Sequence, residues 1–300
     1  MTITIAICTY NRARLLEKCL KALVPQMHTD AVHVMVIDNK STDTTKATVE
    51  KYQQQMANLS YVFEEQQGLS YARNKAYKAS KTDWVAYLDD DGIPHPNYVA
   101  RLLHVIEHYD FDCFGGMYYA YYEDKKPKWI ADDFGTKKLI SKETGYIEQN
   151  TLSGGIFNVK RSVLESLNGF DTSYGMTGKK MAYGEESELQ YRIRAAGYKI
   201  GFDPHLKMDH IVSSNKLVVS WHLKRIYTEF RDSPVLRFKN ASYGLLVKES
   251  LKSTFKKLLR LMYRMLKQKN YYIQNLIIDY LKPILSIYGT IKNPLRKKSK

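Results

Sequence analysis

Three consecutive aspartates, Asp89, Asp90 and Asp91, follow the apolar run Trp84–Leu88 and precede Gly92-Ile93-Pro94. Adjacent carboxylates repel one another, so the triplet costs stability unless a cation or hydrogen-bond donors compensate. At the end of an apolar strand it would stand on a rigid edge. If the extended backbone continues through it, Asp89 and Asp91 face one side and Asp90 the other. Hard oxygen ligands of this kind suit Mg²⁺ or Mn²⁺, with water and phosphate oxygens completing the shell. Such a cation neutralises the charge that develops on a departing diphosphate. The plain alternative is a solvated acidic turn.

His210, after the alternating run Leu206–Asp209, is the candidate second metal ligand, although a lone histidine at a strand end is often structural. A second acidic cluster is Gly184-Glu185-Glu186-Ser187-Glu188-Leu189. Acidic residues in a first helical turn favour the helix dipole, which accounts for some of them. Three carboxylates in four residues exceed what capping requires. A carboxylate fixed at a helix start also makes a good general base, and deprotonating a hydroxyl contributes about 10²–10⁴-fold in rate. Glu186 is the first candidate for that role and Glu185 the next.

The elements that must position these groups are legible from periodicity. Ile3–Cys8, His33–Ile37, Leu59–Phe63 and Trp84–Leu88 read as strands, and Arg12–Leu23, Thr44–Met56 and Leu69–Ala79 as helices between them. That alternation predicts an α/β fold with a mainly parallel sheet flanked by helices. Ligands then bind beyond the carboxyl ends of the strands, where Thr9-Tyr10-Asn11, Asp38-Asn39 and the Asp triplet fall. Further on, Cys113–Tyr122 and Gly154–Val159 read as strands, Lys125–Ile147 as a loop, and Arg161–Leu167 and Glu185–Ala196 as helices. Lys199–Asp203 and Leu206–Ile211 read as two short strands.

The 300 residues carry a net charge of +15, with 44% hydrophobic and 26% charged residues, ordinary for a globular chain. The charge is uneven. Residues 213–300 hold 20 Lys+Arg against 4 Asp+Glu, so residues 1–212 are nearly neutral. An argument for a polyanionic partner therefore concerns the tail alone. Cys8, Cys19 and Cys113 show no metal-type spacing and suit a reducing compartment. The short apolar N-terminus reads as a buried strand and not as a signal peptide, and no run is long enough to span a membrane.

Taken in order, Cys8-Thr-Tyr-Asn-Arg12, Val36-Ile-Asp-Asn-Lys-Ser-Thr-Asp43, Gly68-Leu-Ser-Tyr-Ala-Arg-Asn74, Leu88-Asp-Asp-Asp91, Gly154-Gly-Ile-Phe-Asn158, Gly169-Phe-Asp171 and Gly184–Leu189 make the chain resemble glycosyltransferase family 2, inverting enzymes of the GT-A fold. The resemblance spans roughly residues 2–212. It implies a catalytic domain over 1–215, with a nucleotide-binding half (1–92) and an acceptor-side half (93–215), before a basic helical extension over 216–300. It implies that Thr9 and Tyr10 lie against the nucleotide base and that Asp38 accepts a hydrogen bond from it. Arg73 would lie near the base or diphosphate, Asp89 would approach the ribose beside Asp90, and Asp91 and His210 would hold the cation. The family's helix-start pair is usually Glu-Asp with Asp as base; here Glu186 takes that place on a side chain one methylene longer. The implied reaction moves a hexosyl or N-acetylhexosaminyl unit from a nucleotide-sugar, by analogy a UDP-sugar, to a glycan or lipid-linked glycan acceptor, with Mn²⁺ or Mg²⁺.

Each feature also has a plain structural reading. Asp38 and Asn39 are natural turn formers, with Asp43 capping the next helix. Arg73 fits a solvated helix face, and Gly154-Gly155 a strand bulge. Tyr118, Tyr119, Tyr121 and Tyr122 suit sheet packing, though one or two, or Trp129, are candidates to stack on a sugar. The basic tail, amphipathic over Leu251–Lys267, either caps the core, pairs with a second copy in a homodimer, or lies on the anionic inner face of the cell membrane, the reading favoured for a cytoplasmic, peripheral protein. A sugar-phosphate nucleotidyltransferase would need a glycine-rich phosphate loop after the first strand, which Thr9-Tyr10-Asn11-Arg12 lacks. A nucleic-acid-binding module finds no aromatic-basic signature. A catalytically inactive scaffold is opposed by the full set of carboxylates.

Overall fold

The computed structural model describes residues 1–178, 180–233 and 261–293, and the chain forms two compact units. The first comprises Met1–Tyr121, Gly135–Lys179 and Glu185–Val212. It contains β1 (Ile3–Thr9), α1 (Ala13–Leu23), β2 (Val32–Asp38), α2 (Thr45–Gln53), β3 (Leu59–Phe63), α3 (Leu69–Ala79), β4 (Trp84–Leu88), β5 (Gly92–Pro94), α4 (Tyr98–His108), β6 (Cys113–Tyr121), β7 (Gly145–Tyr146), β8 (Ile156–Lys160), α5 (Arg161–Ser166), α6 (Glu185–Ala195) and β9 (Ile200–Ile211).

The nine strands form one sheet in the order β3-β2-β1-β4-β8-β6-β9-β5, with β7 on β9. Strands β3, β2, β1 and β4 run parallel, as do β6 and β9; β8 is antiparallel to β4 and β6, and β5 is antiparallel to β9. It is the mixed, mainly parallel sheet expected. Helices cover both faces, so central strands are apolar throughout instead of alternating. Ile3, Ile5 and Ile7 of β1 pack with Leu16, Leu20 and Leu23 of α1 and with Leu102 and Val105 of α4. On the other face, Ala6, Ile37 and Tyr87 meet Ala72 and Ala76 of α3 and Leu189 and Ile193 of α6.

The structure corrects the sequence reading in four places, one of them β7, which lies within the stretch Lys125–Ile147 read as a loop. Ile200–Ile211 forms one strand, not two, because Pro204 falls where the β6–β9 register shifts between Gly115 and Met117, so no ladder bond needs its missing N–H. A Cβ on Gly116 would lie 2.1 Å from the Leu206 carbonyl, which shows how closely the two backbones approach at that shift. Helix α4 stands where the sequence reading places no element, although its buried Tyr98, Val99, Leu102, Val105 and Ile106 have helical spacing. The extended backbone does not run through the Asp triplet: it turns, the Gly92 N–H donating to the Asp89 carbonyl at 2.9 Å.

The second unit comprises Tyr122–Phe134, Lys180–Gly184 and Ser213–Lys300. Within it lie α7 (Val219–Arg231) and α8 (Ile273–Lys292). Gly289 permits their close packing, since a Cβ there would lie 2.4 Å from the Tyr227 carbonyl. Trp129, in the predicted loop, packs its ring on His222 at 5.2 Å, and its carbonyl accepts from Asn275 Nδ2 at 2.8 Å. The part of the predicted amphipathic run before residue 261 lies outside the described residues. Among the described residues, no helix is long and apolar enough to cross a membrane.

Candidate active site

The carboxyl ends of β1 and β4 bring Thr9 and the Asp triplet together. Thr9 Oγ1 donates to Asp90 Oδ2 at 2.8 Å, and Arg12 Nη1 lies 3.0 Å from Asp90 Oδ1 and 3.5 Å from Asp91 Oδ2. The turn at Asp89–Gly92 sends the three carboxylates to different partners. Asp90 points back to the first loop. Asp91 stands between Arg12 and His210, whose Nε2 is 3.6 Å from Asp91 Oδ2. Asp89 faces Arg73, 3.6 Å from its Nη2. The expectation that Asp89 and Asp91 share a side, with Asp90 opposite, fails because the local turn replaces strand alternation.

His210 is placed by backbone pairing. Gly92 is its partner across β5–β9, and the Ile211 N–H donates to the Asp91 carbonyl at 2.8 Å. The metal-ligand candidates are therefore held by the ladder that joins the triplet to β9.

The second carboxylate cluster reaches the same rim through Arg73. This residue of α3 is buried, its Nη1 donates to Glu185 Oε1 at 3.0 Å, and its Nη2 donates to the Gly154 carbonyl at 3.2 Å. The solvated-face reading of Arg73 is thus excluded. Burial opposes its charge, but Glu185 and Asp89 outweigh burial and keep it protonated. Gly154 and Gly155 make room for the pair. A Cβ on Gly154 would lie 2.7 Å from Arg73 Nη2, and one on Gly155 2.5 Å from Asp89 Oδ2.

Burial and like charge raise several of these acids. Asp90 is pushed up to about 6, mainly by burial, against the pull of Arg12. Asp89 is also raised, by desolvation first and by the Asp91 charge second, even though two-fifths of its side chain is open. Glu185 rises to about 8, by burial and then by the Glu186 charge beside it. Its Oε2 is buried without a hydrogen-bond partner among the described residues, a place a proton can fill. Glu186, by contrast, is only half-buried.

The remaining candidates lie along the rim. Asp38 is the ladder partner of Thr9 and is buried; its Oδ1 accepts from the Ser41 N–H at 2.8 Å and its Oδ2 from Tyr61 Oη at 2.7 Å. Asn39 takes the Gly68 N–H at 2.7 Å, and Asp43 accepts from the N–H groups of Ala13 and Thr45, each at 3.0 Å, so both also build turns. Tyr10 is half-buried in the turn after β1. Arg12, which the sequence reading takes as the start of the first helix and as part of a motif, carries its signal as a cation immediately after the strand whose end faces three carboxylates.

Among the described residues, no three His, Cys, Asp or Glu side chains close into a metal site by themselves. Asp91 with His210 fits a cation that takes most of its shell from water and substrate phosphates, as Mg²⁺ and Mn²⁺ do.

A sheet with these parallel strands, carboxylates at one rim and helices on both faces defines a GT-A-type glycosyltransferase. The description of glycosyl transferase family 2 matches residues 4–167, and the chain belongs to that family. It is 29% identical over 234 residues to the succinoglycan biosynthesis protein ExoM of Rhizobium meliloti, covering 74% of this chain and 71% of that protein. It is 31% identical over 245 residues to an uncharacterized glycosyltransferase of Mycoplasma pneumoniae, covering 76% and 75%. Among solved structures, the mannosyltransferase PcManGT from Pyrobaculum calidifontis, in complex with GDP-Man and Mn²⁺, superposes with a TM-score of 0.66 at 18% identity over 97% of this chain and 86% of that one. TarS of S. aureus with UDP-GlcNAc gives 0.58 at 18% identity, over 99% and 92%.

Proposed function

We propose that this glycosyltransferase transfers a sugar with inversion from a nucleotide-sugar, of the UDP type, to a glycan or lipid-linked glycan acceptor, with Mn²⁺ or Mg²⁺. The observation that carries the reading is the chain of contacts His210–Asp91, Asp89–Arg73–Glu185, which puts two carboxylate clusters from opposite halves of the sequence on one sheet rim. PcManGT with its GDP-Man and Mn²⁺, and TarS with its UDP-GlcNAc, support the ligand classes.

Asp91 and His210 would hold the cation, which when bound neutralises charge on the leaving diphosphate. Glu186 is the base. It is half-buried and carries no ion pair among the described contacts, whereas Glu185 is spent on Arg73. Glu186 takes the proton of the acceptor hydroxyl as that oxygen attacks the anomeric carbon from the face opposite the nucleotide. Asp89, held by Arg73, would approach the ribose, beside Asp90, which Thr9 and Arg12 hold against the first loop. Thr9, Tyr10 and Asp38 line the end of the sheet where the nucleotide base is placed.

The reading includes peripheral contact with an anionic membrane through the basic C-terminal part, supported by its excess of cations and the exposed Ile273, Ile277 and Ile284 on α8. Thermal-shift measurements with UDP and GDP, each with and without Mn²⁺, test the donor site. Stabilisation should be largest for UDP with Mn²⁺ and should be lost in Asp91→Ala. Co-sedimentation with phosphatidylglycerol vesicles, against phosphatidylcholine alone, tests the membrane contact; equal partitioning would reject it.

A further inference from the structure

Strand β9 separates two environments. His210 turns toward Asp91, whereas Asp209, one residue earlier, projects to the other face, where Tyr119 is its partner across β6–β9. His95, immediately after β5, completes this outer group. Its N–H donates to the Lys207 carbonyl at 3.1 Å, its Nε2 lies 3.2 Å from Asp209 Oδ1, and its ring stacks near-parallel to Tyr119, with centroids 6.2 Å apart and planes at 23°. Tyr121, two residues along β6, shares the face.

These groups are open to solvent. Tyr119 is 36% and Tyr121 44% exposed, and the His95 and Asp209 side chains are about one-third exposed. Tyr118, on the inner face, does the packing expected of β-sheet tyrosines, against the core and edge-on to His210. The outer tyrosines are instead left uncovered, and the Tyr119 ring lies near-parallel to that of His95. A stacked aromatic shelf beside an oriented His–carboxylate pair matches a sugar, which offers a C–H face to the rings and hydroxyls to the polar pair. The Asp209 carboxylate on the shelf repels a phosphate and favours a neutral ligand.

We propose that Tyr119, Tyr121, His95 and Asp209 form a carbohydrate subsite for the acceptor glycan, engaging a sugar remote from the one being extended. The proposal rests on the glycosyl-transfer reading above. The shelf and the metal-ligand candidates lie on opposite faces of β9, so the sugar held on the shelf is not the one that receives the transferred unit.

The test uses the full-length protein and saturation-transfer NMR, with cellobiose, lactose, N-acetyllactosamine and chitobiose as probes. Hydrolysis of UDP-glucose and UDP-N-acetylglucosamine with Mn²⁺ reports separately on the donor site. Transfer of saturation to at least one disaccharide is expected. It should fall about fivefold or more in Tyr119→Ala and Asp209→Asn, and recover to within about twofold in Tyr119→Phe, which keeps the ring. Donor hydrolysis should stay unchanged in all three. Tyr191→Ala, which removes a ring 43% exposed on α6, is the control and should change neither readout. Equal saturation in Tyr119→Ala and wild type, no saturation with any of the four sugars, or an equal loss in Tyr191→Ala overturns the subsite. Absence of donor hydrolysis in the wild type overturns the reading beneath it, and the subsite falls with it.

Discussion

Arg73 Nη1 lies 3.0 Å from Glu185 Oε1, with 3% and 7% of the two side chains exposed. This buried contact ties α3 to the start of α6 and sets the acidic helix start against the Asp89 side of the triplet. A buried hydrogen-bonded pair is costly to break because the survivor is left desolvated and without its partner. Arg73→Ala should therefore lose both stability and transfer. Arg73→Met combined with Glu185→Leu should regain stability, read by urea unfolding, without regaining transfer. Recovery of transfer in the double variant would reduce the pair to a packing role.

The proposed base and metal ligand make a sharper demand. Glu186→Gln should lower the transfer rate by about 10²-fold or more while donor binding persists. Asp91→Ala should abolish the Mn²⁺-dependent part of nucleotide binding. Both variants should keep the wild-type circular dichroism. Near-normal turnover in Glu186→Gln would remove it as the base.

Glu185 also predicts a pH dependence. Its folded pKa is pushed up to about 8, above the roughly 4.3 of an unfolded glutamate. Between those values the folded chain holds a proton that the unfolded chain has released. The stability linked to that proton is complete below the unfolded value and drains away as pH rises through the folded one. Urea unfolding of wild type and Glu185→Gln from pH 5.5 to 8.5 should show the difference moving in favour of the variant as pH rises. A difference that stays flat with pH would contradict a raised Glu185.

Gly155→Ala tests the close approach to the triplet. The new Cβ would lie 2.5 Å from Asp89 Oδ2 and 3.3 Å from Met208 Cε, so the Asp89 carboxylate must move. Donor affinity should drop while most of the stability remains. Unchanged affinity would show that Asp89 does not need its present position.

Away from the site, Arg101 forms two hydrogen bonds to the fully buried Asp203, at 2.7 and 2.9 Å, and Thr144 adds a third at 2.8 Å. Burial opposes ionisation of Asp203, but these donors outweigh it and lower its pKa. Arg101→Ala leaves that carboxylate inside the fold without its cation and should cost about 3–5 kcal/mol in urea unfolding. A loss below about 1 kcal/mol, the range of a surface ion pair, would contradict this.

Much of the fold was legible because its signals are local. Apolar runs of strand length, helical spacing and turn residues lie within a few positions of one another, and β3, β4 and α3 have the bounds read from the sequence. The order of the motifs likewise needs no three-dimensional information, and it led to the family. Tertiary structure alone decided which partner each carboxylate has. The triplet turns instead of alternating, Arg12 joins Asp90, and Arg73 is buried between Asp89 and Glu185. It also decided that 122–134 and 180–184 pack with the C-terminal helices, and that Pro204 can sit inside a continuous strand. These outcomes depend on contacts between residues far apart in the chain, whose energies come from burial and charge. Neither is a property of any short stretch of sequence.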